Sequence, residues 1–159
     1  MKKFLLSFNR KVEEILYFDP DIMVFDSLKV LNGYFKDSEI LLTPHILTPL
    51  AFRAEAPNEN KFLNFGVYNL GFIGVHKNCT SEGGFLDWWE NRLLINGVID
   101  PCNGYFVDQL WINLVPIFFD KVKILKEKSY NAAPWNLHER IITQNEDNVF
   151  SLQEGDRLC

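Results

Sequence analysis

The chain of 159 residues carries 16 basic against 21 acidic side chains, a formal charge of −5, with 47% hydrophobic and 14% aromatic residues. That apolar content is enough for one core, leaves no room for two full-sized domains, and excludes the disordered and low-complexity classes. The acidic balance has the wrong sign for a generic nucleic-acid or anionic-membrane binder.

The opening Met1-Lys2-Lys3-Phe4-Leu5-Leu6-Ser7-Phe8 has the flavour of a signal peptide, but Asn9-Arg10-Lys11 breaks its apolar run at once. Glu14 to Phe18 is a short apolar run stopped by Asp19-Pro20-Asp21, and reads as a buried strand ending in a turn. Ile22 to Phe25 reads as a second short extended piece. Asp26 or Ser27 can then cap a helix in which Leu28, Leu31 and Phe35 recur at helical spacing. Ile40 to Thr43 is a strand closed by Pro44, and a polar loop follows from about Phe52 to Lys61.

Phe62 to Val75 alternates apolar residues with Asn64, Gly66, Asn69, Gly71 and Gly74, as in a strand that bends or lets a ligand approach. Thr80 or Ser81 opens the clearest helix, with Phe85, Trp88, Trp89 and Leu93 on one face as far as Asn96-Gly97. A second helix carries Val107, Leu110, Trp111 and Leu114, and Pro116 is expected to end or kink it. Val122 to Leu125 is a last short strand, and the pattern turns irregular beyond Tyr130. Strands mixed with amphipathic helices predict one α/β domain over residues 1–159, with no internal repeat and no dividing linker. The longest later apolar stretch, Leu110 to Phe119, is about half of the roughly 20 residues a bilayer needs, so no membrane span is expected. Cys79, Cys102 and Cys159 are scattered and odd in number, without metal-ligand spacing. They predict a reduced, cytoplasmic protein rather than a disulfide scaffold or zinc site.

Four segments can carry chemistry. In extended chain, residues two apart point to the same side, so Asp19 and Asp21 can face one ligand at a strand's end. Two hard carboxylate oxygens there suit Mg²⁺ or Mn²⁺ shared with substrate phosphates, although the same pattern also describes a solvated turn. The glycine-rich run Phe65 to Val75 lacks the GxGxxG setting and any Walker lysine, which removes support for a dinucleotide or triphosphate loop. Asp108 and Gln109 either cap a helix or, as paired acceptor and amide, hold sugar hydroxyls. Tyr130 to Arg140 is dense in polar and aromatic side chains, a composition common in site-forming loops. His45 and His76 read as structural or exposed, and no Ser/His/Asp or Cys/His order is persuasive.

Taken in order, Ile15 to Phe25, Asn64 to Val75, Phe85-Leu86-Asp87-Trp88-Trp89, Phe106 to Trp111 and Tyr130 to Arg140 resemble the bacterial nucleotide-diphospho-sugar glycosyltransferases of GT-A fold. The likeness runs from about residue 11 to about residue 140. It implies a GT-A-like mixed sheet with flanking helices, and transfer of a sugar from a nucleotide-diphosphate sugar donor to a carbohydrate acceptor. Asp19 and Asp21 would take the family's metal motif for Mn²⁺ or Mg²⁺, with Asp21 the stronger candidate for direct ligation. Asn69 and Gly71 would line the sugar and acceptor side, and Asp108 and Gln109 would face the transferred sugar as catalytic residues. Trp135, Asn136 and His138 would lie near the diphosphate or acceptor. Pro134 stands where the family commonly has an aromatic residue.

Only about eighteen residues precede Asp19, where the family has a nucleotide-binding half, and the chain stops before the family's later His-containing segment. The expectation is therefore an internal piece of a larger enzyme that by itself binds metal and nucleotide sugar weakly and turns over little. A sheet edge left open by missing strands would invite self-association. Two other readings stand beside the transferase: a non-catalytic carbohydrate-binding or scaffold domain keeping the fold, and a glycoside hydrolase, which needs two carboxylates across one sugar.

Overall fold

A computed structural model describes residues 12–51, 58–144 and 149–152. The signal-like start, most of the Phe52–Lys61 loop and Cys159 lie outside the described residues. In chain order the elements are β1 (Glu14–Phe18), α1 (Lys29–Tyr34), β2 (Ile40–Pro44), α2 (Asn60–Phe65), β3 (Tyr68–His76), α3 (Phe85–Asn96), β4 (Ile99–Asp100), β5 (Tyr105–Phe106), α4 (Val115–Phe118), β6 (Val122–Ile124), β7 (Ile142–Gln144) and β8 (Phe150–Leu152). Short 3₁₀ turns occupy Lys77–Thr80, Pro101–Asn103, Leu110–Leu114 and Pro134–Asn136.

The main sheet has the order β1-β3-β2-β6. β3 is antiparallel to both β1 and β2, whereas β2 and β6 are parallel. The carboxyl ends of β1, β2 and β6 therefore meet the amino end of β3 along one margin of the sheet. β2 explains why the sheet is covered twice: Ile40 and Leu42 face one way and Leu41 the other, and all three are buried. Ile40 and Leu42 join Leu70, Ile73, Val75, Phe85, Trp89, Ile112 and Val115 in the larger core. Leu41 joins Leu31, Phe35, Phe72, Leu125 and Tyr130 in the smaller one, beneath α1. The expected mixed α/β fold is present, with the Trp88 and Trp111 segments packed on the larger core.

Several local expectations are corrected. Ile22 to Phe25 joins no sheet among the described residues, and Ile22 N–H closes a turn by donating to the Asp19 carbonyl at 3.0 Å. Phe62 to Phe65 belongs to α2, and the strand begins only at Tyr68, after Gly66 turns the chain at φ 119°. A Cβ at Gly66 would lie 2.8 Å from Gln109 Cγ, so this reversal needs glycine on both counts. Neither Thr80 nor Ser81 opens α3: they end a 3₁₀ turn, and the helix starts from Gly84. Nor do Asp26 and Ser27 supply the α1 cap position, which falls on Leu28, although the Ser27 hydroxyl accepts from Lys29 N–H at 3.3 Å. Pro116 begins a helix instead of ending one, since a first turn has no use for its missing N–H. The β7–β8 hairpin, unread in the sequence, pairs Ile142 with Leu152.

Candidate functional site

The site forms on the margin where β1, β2 and β6 end. Phe18 pairs with Phe72, and one step further Asp19 N–H donates to the Gly71 carbonyl at 2.8 Å. Tyr17 and Asp19 lie on the same side of the strand, so the Tyr17 hydroxyl donates to Asp19 Oδ1 at 2.6 Å and fixes that carboxylate. The chain then turns through Pro20 and leaves Asp21 exposed. The two carboxylates are therefore not related by simple strand alternation, yet both line one hollow.

Asn69 and Gly71 form the wall behind Asp19. Asn69 Oδ1 accepts from Gly71 N–H at 2.8 Å, and its Nδ2 donates to Asn131 Oδ1 at 2.7 Å. Asn131, at φ 58°, passes the chain of amides on to the Pro44 carbonyl at 2.9 Å. A Cβ on Gly71 would meet Asn69 Oδ1 at 3.2 Å and Ile22 Cδ1 at 3.3 Å, so glycine keeps this wall thin.

A hollow lies on each side of that wall. The first, about 510 Å³, is lined by Asp19, Asn69, Gly71, Phe106, Asp108 and Gln109. The second, about 440 Å³, shares Asp19, Asn69 and Gly71 and adds Asp21, Met23 and Trp135. In the first, Val107 has φ 41°, a conformation costly for a β-branched residue, and Asp108 follows directly. The Asp108 carbonyl accepts from the Trp89 indole N–H at 3.3 Å, anchoring this turn to the core.

The expected site residues divide. Asp19, Asp21, Asn69, Gly71, Asp108, Gln109 and Trp135 line the paired hollows, whereas Asn136 and His138 line neither. Gln109 spends its amide on the scaffold: Nε2 donates to the Phe65 carbonyl at 2.7 Å, and Oε1 accepts from Leu70 N–H at 3.1 Å. Asn136 is fully buried, donating to the His45 and Asn131 carbonyls and accepting from Ala133 N–H. His138 is exposed, with Nε2 3.9 Å from Glu139 Oε2. Trp135 is backed by the His45 ring at 5.6 Å, and burial lowers the His45 pKa to about 4, keeping that ring neutral.

Sequence reasoning missed Tyr17 and Asn131, which hold the wall, and the Glu139–Arg140 pair, which holds its surroundings. Glu139 accepts from Leu47 N–H, Thr48 N–H and the Thr48 hydroxyl. Arg140 Nη1 is 3.1 Å from Glu139 Oε1, an ion pair without hydrogen-bond alignment, while Arg140 Nε donates to the Lys128 carbonyl at 2.8 Å. Burial pulls the Arg140 guanidinium below its usual range, and Glu139 opposes that shift. Tyr17, two residues before Asp19, was the one readable signal, because strand spacing puts it on the aspartate's side.

Among the described residues no group of three or more His, Cys, Asp or Glu side chains is placed to hold a metal ion. Asp19 and Asp21 do not make a protein-only cage; their carboxylate oxygens are of the hard type that Mg²⁺ or Mn²⁺ takes when water and phosphate complete the shell. Among the described residues no helix is long and apolar enough to cross a membrane. No protein-family model matches the chain, and neither a curated protein nor a solved structure does.

Proposed function

We propose that the chain is a metal-dependent glycosyltransferase domain of GT-A type, taking a sugar from a nucleotide-diphosphate donor to a carbohydrate acceptor. The observation that carries this reading is the thin wall of Asp19, Asn69 and Gly71, with Asp108 in the hollow on one side and Asp21 in the hollow on the other. A transfer reaction needs two substrate sites that meet at shared groups, and two hollows sharing Asp19, Asn69 and Gly71 support that reading.

A divalent cation, when bound, supplies positive charge against the leaving diphosphate. Asp21, exposed, and Asp19, steadied by Tyr17, are the residues that hold it. Asp108, which lines the first hollow, is the carboxylate assigned in this reading to oppose positive charge growing on the transferred sugar. Gln109 acts as a positioning residue, since its amide ties the α2 end to β3 beneath the same hollow. β1 and β6 are the edges of the described sheet, and association through either is part of the proposal.

A second reading, a carbohydrate-binding domain without turnover, is favoured by the commitment of the Gln109 amide to backbone. A thermal-shift screen with nucleoside diphosphates, nucleotide sugars and free sugars, with and without Mn²⁺, separates the two. Stabilisation by a nucleoside diphosphate that requires Mn²⁺ and disappears in Asp21→Ala, but not in Asp108→Ala, is expected of the transferase. Metal-independent stabilisation by free sugars alone selects the binding domain, and no response to any nucleotide overturns the transferase.

A further inference from the structure

We infer that the second hollow takes an amphiphilic glycoside, with the apolar portion lying on Met23, Phe25 and Trp135 and the hydroxylated head turned toward Asp21. The inference rests on the transfer reading only in naming this ligand the acceptor.

The polar side chains of the hollow are largely spoken for. Both ends of the Asn69 amide are bonded within the wall, and Asn131 Nδ2 is held by the Pro44 carbonyl. Asp19 accepts from Tyr17. Asp21 is the lining carboxylate without a side-chain partner among the described residues. What the hollow offers a ligand is therefore the Asp21 carboxylate and a polar wall together with the apolar surface of Met23, Phe25 and Trp135. Met23 is 70% exposed, Phe25 46% and Trp135 40%, a contiguous exposure that a purely polar ligand would leave unused. Two of these rings are braced from behind, Trp135 by His45 and Phe25 by Phe150 at 5.2 Å.

A second feature points the same way. Alternate residues of the segment go to different places: Met23 and Phe25 line the hollow, while Val24 lines a crevice of about 40 Å³ with Leu28, Leu31 and Phe72. Ile22 and Asn131 line both, so the crevice adjoins the hollow. A narrow, mainly apolar crevice of that size beside the hollow suits the end of an aliphatic chain and has little to offer a sugar ring.

The test is calorimetric titration of the full chain, without nucleotide or metal, using octyl β-glucoside below its micelle concentration and methyl β-glucoside. The octyl compound is expected to bind at least ~10-fold tighter, since each buried methylene contributes about fourfold. That gain should vanish in Met23→Asp, shrink in Trp135→Ala, and persist in Ile95→Asp, an exposed position on α3 outside the hollow. All three side chains are exposed, and an unchanged melting temperature shows that each variant folds. Equal affinity for the two glycosides, or an octyl gain that survives Met23→Asp, overturns the inference. Equally tight uptake of sugar-free phosphatidylcholine vesicles overturns it too, because the surface would then be a bilayer contact. Loss of the octyl gain beside an intact Mn²⁺–nucleotide response removes this inference alone. An octyl gain without any nucleotide response removes only the word acceptor.

Discussion

Asp19 N–H donates to the Gly71 carbonyl at 2.8 Å, so the first candidate metal ligand is tied by its own backbone to the residue that keeps the two hollows apart. The carboxylate above that bond is fixed by Tyr17, and the glycine below it is flanked by Asn69. Ligand placement and wall thickness are thus one structural feature.

Gly71→Ala should disturb both at once. The new methyl would press on Asn69 Oδ1 at 3.2 Å and Ile22 Cδ1 at 3.3 Å, contacts that require a shift of a few tenths of an ångström. A cost of about 1–2 kcal/mol is expected from urea unfolding, in the range of mild overpacking. Gly33→Ala, where nothing lies within 4 Å of the new Cβ, should not destabilise and serves as the comparison.

Asn136→Ala should cost more, although it touches neither hollow. Its amide serves the His45 carbonyl, the Asn131 carbonyl and Ala133 N–H in a fully buried position. Removing it leaves three part-buried backbone groups without that partner, at up to about 1–3 kcal/mol for each that water does not reach. Chemical denaturation should show a loss well above that of Gly71→Ala.

The Glu139–Arg140 pair gives a prediction with a sign. Arg140→Met leaves the Glu139 carboxylate buried without its countercharge, which should destabilise by about 3–5 kcal/mol. Glu139 still accepts from Leu47 and Thr48, so the 44–48 segment stays attached. Adding Glu139→Gln should recover part of the loss, as a double-mutant cycle would measure.

His45 predicts the acid limit of stability. Its pKa falls from 6.5 to about 4 because burial penalises the charged ring. Between those values the unfolded chain binds more protons at this residue than the folded one, so stability is lost as pH drops from about 6.5 to about 4. The loss is on the order of 2–3 kcal/mol after allowance for partial exposure. His45→Gln should flatten that part of the urea-midpoint curve against pH, and a curve identical to the parent would contradict the assignment.

Elements with a strong local pattern were legible in the sequence. The apolar run from Glu14 to Phe18 ended at Asp-Pro-Asp and is β1, and the Phe85-Trp88-Trp89-Leu93 stripe is α3. The apolar run of Ile22 to Phe25 misled, because a segment whose residues line two adjacent hollows is as apolar as a buried strand. The β7 residues are exposed and leave no apolar period to read. At the site, the segments singled out by residue type supply lining to both hollows, but Asp108 lines one and Asp21 the other, so the two carboxylates do not share a single cleft. The duties of Gln109 and Asn136 were not, since a sequence cannot show whether an amide turns to a ligand or to backbone carbonyls 44 and 91 residues away.

The central claim is that a divalent cation and a nucleoside diphosphate meet at the Asp19–Gly71 wall. Paramagnetic broadening of backbone amide signals tests it most directly, with Mn²⁺ added at substoichiometric levels beside a nucleoside diphosphate. The amides of Asp19, Asn69 and Gly71 are expected to broaden first, and to recover in Asp21→Ala. Preferential broadening at the opposite margin of the sheet, where Glu39 accepts from Asn78 and Lys121, would contradict the claim, as would broadening unchanged by Asp21→Ala.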